Sequence, residues 1–175
     1  MSVPYRIAVV CTGNICRSPM GEIVLRQMLD DADVTGVEVS SAGTAGWHIG
    51  DGADRRAIRL MRDRGYDASE HRARQFTPGW FEQLDLVLAA DEGHLRQLQG
   101  MISSPADREK IRLLREFDAE AVEAGTLDVD DPYYGDMSDF EKCLAEVEAA
   151  CRGVVEHVRD LQGARSAPLA GDEAP

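Results

Sequence analysis

The chain opens on an uninterrupted apolar run, Ile7, Ala8, Val9 and Val10, the pattern of a strand buried on both faces. Periodicity lapses over Cys11-Thr12-Gly13-Asn14-Ile15-Cys16-Arg17-Ser18 and resumes at helical spacing from Pro19 to Ala32, with Met20, Ile23, Val24, Gln27 and Met28 expected on the face toward a sheet. Gly36 closes that unit. Val37 to Ser41 alternates as a second strand, and Ala42 to Gly52 is a glycine-rich loop containing Trp47 and His48. Ala53 to Arg64 reads as a helix with Ala57, Ile58, Leu60 and Met61 inward and Gly65 as its stop. After a loop through His71, Arg72 and Arg74, Pro78 to Leu84 is a short helix and Leu86 to Ala90 a strand. Asp91 caps a helix to Gln99, and Lys110 to Leu114 is the last strand. Phe140, Leu144, Val147, Ala150, Val154, Val158 and Leu161 mark a long helix from Ser138 to Leu161. Gln162 to Pro175 is small and polar, and is expected to be a disordered tail.

Strands alternating with helices imply right-handed crossovers. The expected fold class is therefore α/β: three layers, a four-stranded parallel sheet with helices on both faces and a Rossmann-like topology. At 175 residues the chain suits one domain, residues 1–161 followed by the tail, with a core that needs no disulfide or metal. It is expected to act as a monomer. No apolar run is long enough for a membrane span, and Met1 to Tyr5 leads into the first strand without a signal peptide. A cytoplasmic location is the expectation, with export by a route lacking a signal peptide left open.

Nineteen Lys and Arg against 32 Asp and Glu give a net charge of -13, which argues against nucleic acid as a partner. Residues 1–100 carry 11 basic and 14 acidic side chains and residues 101–175 carry 8 and 18, so most of the excess lies in the second part. The sign reverses between Arg55 and Arg74, where seven arginines face Asp63, Asp67 and Glu70. A solvated helix face accounts for that stretch; steering of an anionic partner is the alternative. The four cysteines, Cys11, Cys16, Cys143 and Cys151, lack the paired spacing of a zinc site. A reactive thiol in a reducing compartment fits them better.

The chemistry concentrates where periodicity lapses. Gly13 and Asn14 can take the positive φ that folds a loop on itself. Backbone N–H groups of such a loop, with those opening the next helix, make a nest for a tetrahedral anion. The phosphate-binding candidates are therefore Thr12, Gly13, Asn14, Ile15, Cys16, Arg17 and Ser18. An ordinary thiol, with a pKa of about 8.5, is only a few per cent thiolate at neutral pH. Lowering it by about three units takes about 4 kcal/mol, and a helix dipole supplies at most about 2. Arg17, the N–H groups and the Ser18 hydroxyl must provide the rest.

The string Cys11 to Pro19, CTGNICRSP, following the first strand, resembles the phosphate loop of the low-molecular-weight protein tyrosine phosphatases, and the resemblance extends to about Arg159. It implies a phosphotyrosine hydrolase with Cys11 as nucleophile, Arg17 as phosphate clamp and Asp131, in DVDDPYYGD, as general acid and base. Asp131 precedes Pro132, which biases it away from helix. An ordinary Asp is about one per cent protonated at pH 6, so phosphate, thiolate and exclusion of water by the tyrosines must raise it. The resemblance also implies loop support from Asn14, Ser18, Ser41 and His71, a substrate wall of Trp47, Tyr133 and Tyr134, and a redox role for Cys16. Its partners would be phosphotyrosine-containing proteins; no cofactor or metal is implied. Asp128, Asp130 and Asp136 are read as an acidic surface turn, and His48, His94 and His157 carry no assigned role. Gly21 stands where an alanine is commoner in the family, at a helix cost of about 1 kcal/mol. Two rival functions remain: an arsenate reductase of the same fold, which would need further cysteines, and a phosphate-binding module without turnover.

Overall fold

The computed structural model describes residues 2–167. Four strands, β1 (Tyr5–Cys11), β2 (Val37–Gly43), β3 (Leu86–Ala89) and β4 (Ile111–Leu113), form one parallel sheet in the order β2-β1-β3-β4. Ile7 to Val10 are fully buried because β1 is central and covered on both faces. Ile7, Val9 and Cys11 point into one apolar cluster with Leu86 and Leu88, while Ala8 and Val10 point into a second with Val87 and Ala89. This is the two-residue alternation of a strand.

The first cluster is closed by α1 (Arg17–Asp31), α2 (Arg55–Asp63) and α6 (Met137–Ser166), through Met20, Leu25, Met61, Phe140 and Leu144. The second is closed by α3 (Glu92–Gln99) and a 3₁₀ turn, Pro78–Glu82, through Leu98 and Phe81, with Phe76 from the preceding loop. Two short helices, α4 (Pro105–Lys110) and α5 (Ala119–Ala124), flank β4 and a second 3₁₀ turn, Leu114–Phe117. Each of the expected strands and longer helices is present, with ends shifted by up to five residues.

Several expectations are corrected. The short helix expected from Pro78 to Leu84 is a 3₁₀ helix ending at Glu82, and α4 and α5 had no counterpart in the pattern because six residues carry no apolar stripe. Helix α1 starts two residues earlier than expected, and its buried stripe is Met20, Gly21, Val24, Leu25 and Leu29. Gln27 is exposed and bonds Asp31 instead. Gly65, at φ 88°, closes α2 as the stop expected there. The expected end of the last helix at Leu161 falls inside α6, because Arg159 and Gln162 bond the carbonyls of Ala32 and Thr35 and hold the helix on the turn after α1. The remainder of the expected tail, 168–175, lies outside the described residues. Among the described residues no helix is long and apolar enough to cross a membrane.

Candidate active site

The carboxyl ends of parallel strands are where such folds bind ligands, and here β1 ends on Cys11, buried at 3% exposure. Residues 12–16 fold into a loop that runs into α1. Asn14 takes φ 56°, the left-handed conformation Asn tolerates better than most residues. Gly13 does not; its smallness serves packing, since a Cβ there would lie 3.0 Å from His48 Cδ2. Backbone N–H groups from Gly13 to Ser18 find no acceptor among the described residues, and no side chain caps α1. A ring of unpaired donors is what an anion requires.

Asn14 organises this loop. Its Nδ2 donates to Ser18 Oγ (2.8 Å) and Ser41 Oγ (2.9 Å), its Oδ1 accepts from Arg74 N (2.9 Å), and its carbonyl accepts from His71 Nε2 (2.7 Å). Ser18 Oγ, already accepting from Asn14, lies 2.9 Å from Cys11 Sγ and can donate to it. Ser41 donates to Glu22 Oε2 at 2.5 Å, and Glu22 also meets Arg26 (2.7 Å) and His71 (3.7 Å). Burial pushes the Glu22 carboxyl up, but His71, Ser41 and Arg26 outweigh it and hold it below the usual range. Glu22 was not legible as a site residue: four positions past Ser18 on a helix, it looks like surface charge.

Arg17 is fixed from the far side. Its Nη1 donates to Asp91 Oδ2 (2.8 Å) and to the Val129 carbonyl (2.9 Å), leaving Nη2 and Nε without a hydrogen bond among the described residues, with Nη2 3.5 Å from Asp131 Oδ2. Burial pushes its pKa down, but the charges of Cys11, Asp131 and Asp91 prevail and hold it above its ordinary value. Burial pushes Asp91 up, yet His94 and Arg17 hold its carboxylate well below the usual range. His94 N donates to Asp91 Oδ1, and His94 Nδ1 lies 3.0 Å from the same oxygen, in ion-pair range but out of line for a hydrogen bond. His94 Nε2 contacts Thr12 Oγ1 at 2.7 Å. Asp91, expected only as a helix cap, does cap α3 and also braces Arg17.

The Asp-rich segment is anchored rather than a free surface turn. Asp128 accepts from Glu92 N, Val129 N donates to the Ala90 carbonyl, Asp130 pairs with Lys142, and Asp136 caps α6. Asp131 is thereby suspended over the loop, its Oδ1 accepting from Tyr133 N (3.1 Å). Cys11, Thr12, Gly13, Ile15, Cys16, Arg17, Asp131, Trp47, His48, Tyr133 and Tyr134 line one pocket of about 230 Å³. Asn14, Ser18, Ser41 and His71 stand behind it. Trp47 and Tyr134 are 78% and 92% exposed, so they frame the mouth and not the core.

Cys16 is buried beside Cys11; burial, then Asp54 and Cys11, push its thiol far up. Cys143 and Cys151 lie in the core, where burial pushes both thiols up to about 12. His157 packs edge-on against Phe117 and is remote from the pocket. Among the described residues no group of His, Cys, Asp and Glu suits a metal ion.

Sheet order and pocket together define an α/β protein with an anion-binding loop at the end of its first strand. The family is more particular. Residues 6–163 match the low molecular weight phosphotyrosine protein phosphatase family, and the chain belongs to this family of hydrolases. It is similar to a low molecular weight protein-tyrosine-phosphatase of Streptomyces coelicolor, 51% identical over 93% of this chain and 99% of that one. It is also similar to low molecular weight protein-tyrosine phosphatase A of Mycobacterium tuberculosis, 43% identical over 96% of this chain and 99% of that one. The crystal structure of a protein tyrosine phosphatase from Entamoeba histolytica superposes with a TM-score of 0.84 at 28% identity, covering 90% of this chain and 99% of that one.

Proposed function

We propose that this chain hydrolyses phosphotyrosine in phosphoproteins through a phosphocysteine intermediate. One observation carries the reading: Cys11, Arg17 and Asp131, from β1, α1 and a loop more than a hundred residues later, share one small pocket. In the first step Cys11 Sγ attacks phosphorus in line, the bond from phosphorus to the tyrosyl oxygen breaks, and Asp131 gives that oxygen a proton. In the second step Asp131 takes a proton from water, the resulting oxygen nucleophile attacks phosphorus, and the S–P bond breaks to release phosphate.

The remaining donors of Arg17 suit two equatorial oxygens, a planar fork that lysine lacks. Their present partner, Asp131, is released as phosphate takes its place, which frees the carboxyl for the leaving oxygen. Ser18 Oγ, which already accepts from Asn14, can donate to the Cys11 sulfur. Trp47, Tyr133 and Tyr134 hold the aryl ring. Cys16 captures a Cys11 sulfenic acid as a disulfide, with loss of water. No cofactor enters either step, and the protein works as a cytoplasmic monomer. Trp47, Ile49, Tyr133, Tyr134 and Met137, most of the exposed large apolar side chains, lie on or next to the loops lining the pocket, which favours a substrate rather than a subunit as their partner.

The core positions of Cys143 and Cys151 disfavour an arsenate reductase, which would need mobile thiols. A thiol and a carboxylic acid have no use in a module that only binds phosphate. The test is hydrolysis of p-nitrophenyl phosphate in the presence of a chelator: activity is expected from the wild type and its loss from Cys11→Ser. Full activity in Cys11→Ser removes the proposed nucleophile.

A further inference from the structure

Helix α2 carries Arg55, Arg59 and Arg62 at spacings of four and three, which places them on one exposed line. None of the three has a hydrogen bond or ion pair from its guanidinium among the described residues, whereas Arg6, Arg26, Arg96 and Arg112 are each paired with a carboxylate. The helix that carries the line begins beside the phosphate loop. Asp54 N, at the cap of α2, donates to the Ile15 carbonyl of the phosphate loop. Arg56 reaches the other wall, donating to the Tyr133 carbonyl (2.9 Å) with its guanidinium 5.6 Å from that ring.

Two arginines open α2 and, as in α1, its first turn has no acid; the acid at its N-cap, Asp54, is taken by Arg56 and not by Arg55, Arg59 or Arg62. Arg55 at the N-terminus opposes the macrodipole while Arg62 in the last turn complements it, and like charges at these spacings repel. The molecule bears a net charge of -13, so an extended polyanion meets repulsion away from this line. A short acidic segment laid along this line meets three arginines against one neighbouring acid, Asp63.

We infer that Arg55, Arg59 and Arg62 form a docking surface for acidic residues flanking the phosphotyrosine of a protein substrate. This rests on the phosphatase reading and adds a substrate class to it. The line spans about 10 Å at about 1.5 Å per helical residue, the reach of about three extended peptide residues. Acids on one side of the phosphotyrosine therefore lie along it while the phosphate sits on the loop.

The test compares two phosphotyrosine peptides that differ only in carrying Glu and Asp, or Gln and Asn, beside the phosphorylated residue. At low ionic strength the wild-type enzyme is expected to favour the acidic peptide by about tenfold in kcat/KM, chiefly through KM. Salt at about 1 M is expected to erase the preference. The triple variant Arg55→Gln, Arg59→Gln, Arg62→Gln is expected to lose it while hydrolysing p-nitrophenyl phosphate at the wild-type rate. The single exposed change Arg59→Gln is expected to lose part of it, which guards against a folding defect in the triple variant. A wild type without the preference, or a triple variant that keeps it, overturns the inference. So does wild-type binding to phosphatidylserine vesicles that the triple variant lacks, found without any peptide preference. Failure of the wild type on p-nitrophenyl phosphate overturns the phosphatase reading instead.

Discussion

Arg17 is where the two halves of the pocket meet: Asp91 and the Val129 carbonyl hold its outer nitrogen, and Asp131 faces its inner one. If Asp131 protonates the leaving oxygen, the need for it scales with the basicity of that oxygen. Asp131→Asn is expected to slow phenyl phosphate by about 10² to 10⁴ and a dinitrophenyl phosphate far less; steady-state rates on both check this, and equal losses contradict the role. Glu22 makes a second residue-level case. Its folded pKa is depressed despite burial, so its contribution to stability is present above the unfolded value of about 4.3 and is lost as pH falls through the folded value. Glu22→Gln is expected to lower stability at pH 7 by about 1–3 kcal/mol and to flatten the melting profile below about pH 5. An unchanged acid limb contradicts it. At this scale the sequence showed the residues that sit in contiguous strings, from Cys11 to Ser18 and around Asp131. Glu22, Asp91 and His94 were illegible as partners because their contacts come from chain segments brought together only by the fold; Arg17 and Asp91 are 74 positions apart.

Among the elements, α1 and β1 form the contact on which the loop between them depends. Gly21 looked like a weak point in a helix, yet a Cβ there would come 2.8 Å from Val9 Cγ1. Val9 is β-branched and fully buried, so it cannot swing aside. The glycine lets α1 lie close on β1. Gly21→Ala is expected to destabilise the fold by up to about 2 kcal/mol, overpacking of about 1–3 less a helix gain of about 1. Urea unfolding of Gly21→Ala, Val9→Ala and the double variant checks this, with a coupling in which the smaller Val9 side chain rescues the alanine. A stabilised Gly21→Ala contradicts it. Long elements were legible because their apolar residues repeat at a fixed period. Helices α4 and α5 were not: Ser104 and Asp118 cap them, but with six residues each they bury too little to leave a stripe.

The whole molecule is legible in its topology. Parallel strands put their carboxyl ends on one side of the sheet, so the loops after β1, β2 and β3 and the segment 128–136 must gather there, and that gathering is what brings Cys11, Trp47, Asp91 and Asp131 together. Strand alternation and the Cys11-to-Pro19 string were enough to foresee this side of the sheet as the site. The distances within it were not foreseeable, because they depend on how α1, α2 and α6 pack. The charge asymmetry was visible, but whether the arginines between Arg55 and Arg74 were paired was not; the helical register of α2 decides it.

The central claim is a covalent bond between Cys11 and phosphorus. Its most direct measurement is rapid acid quench of the enzyme during turnover of p-nitrophenyl phosphate, followed by peptide mapping by mass spectrometry. The expected result is one phosphoryl group on the peptide containing Cys11, absent in Cys11→Ser and longer-lived in Asp131→Asn. Sustained turnover with Cys11 never phosphorylated would contradict the account.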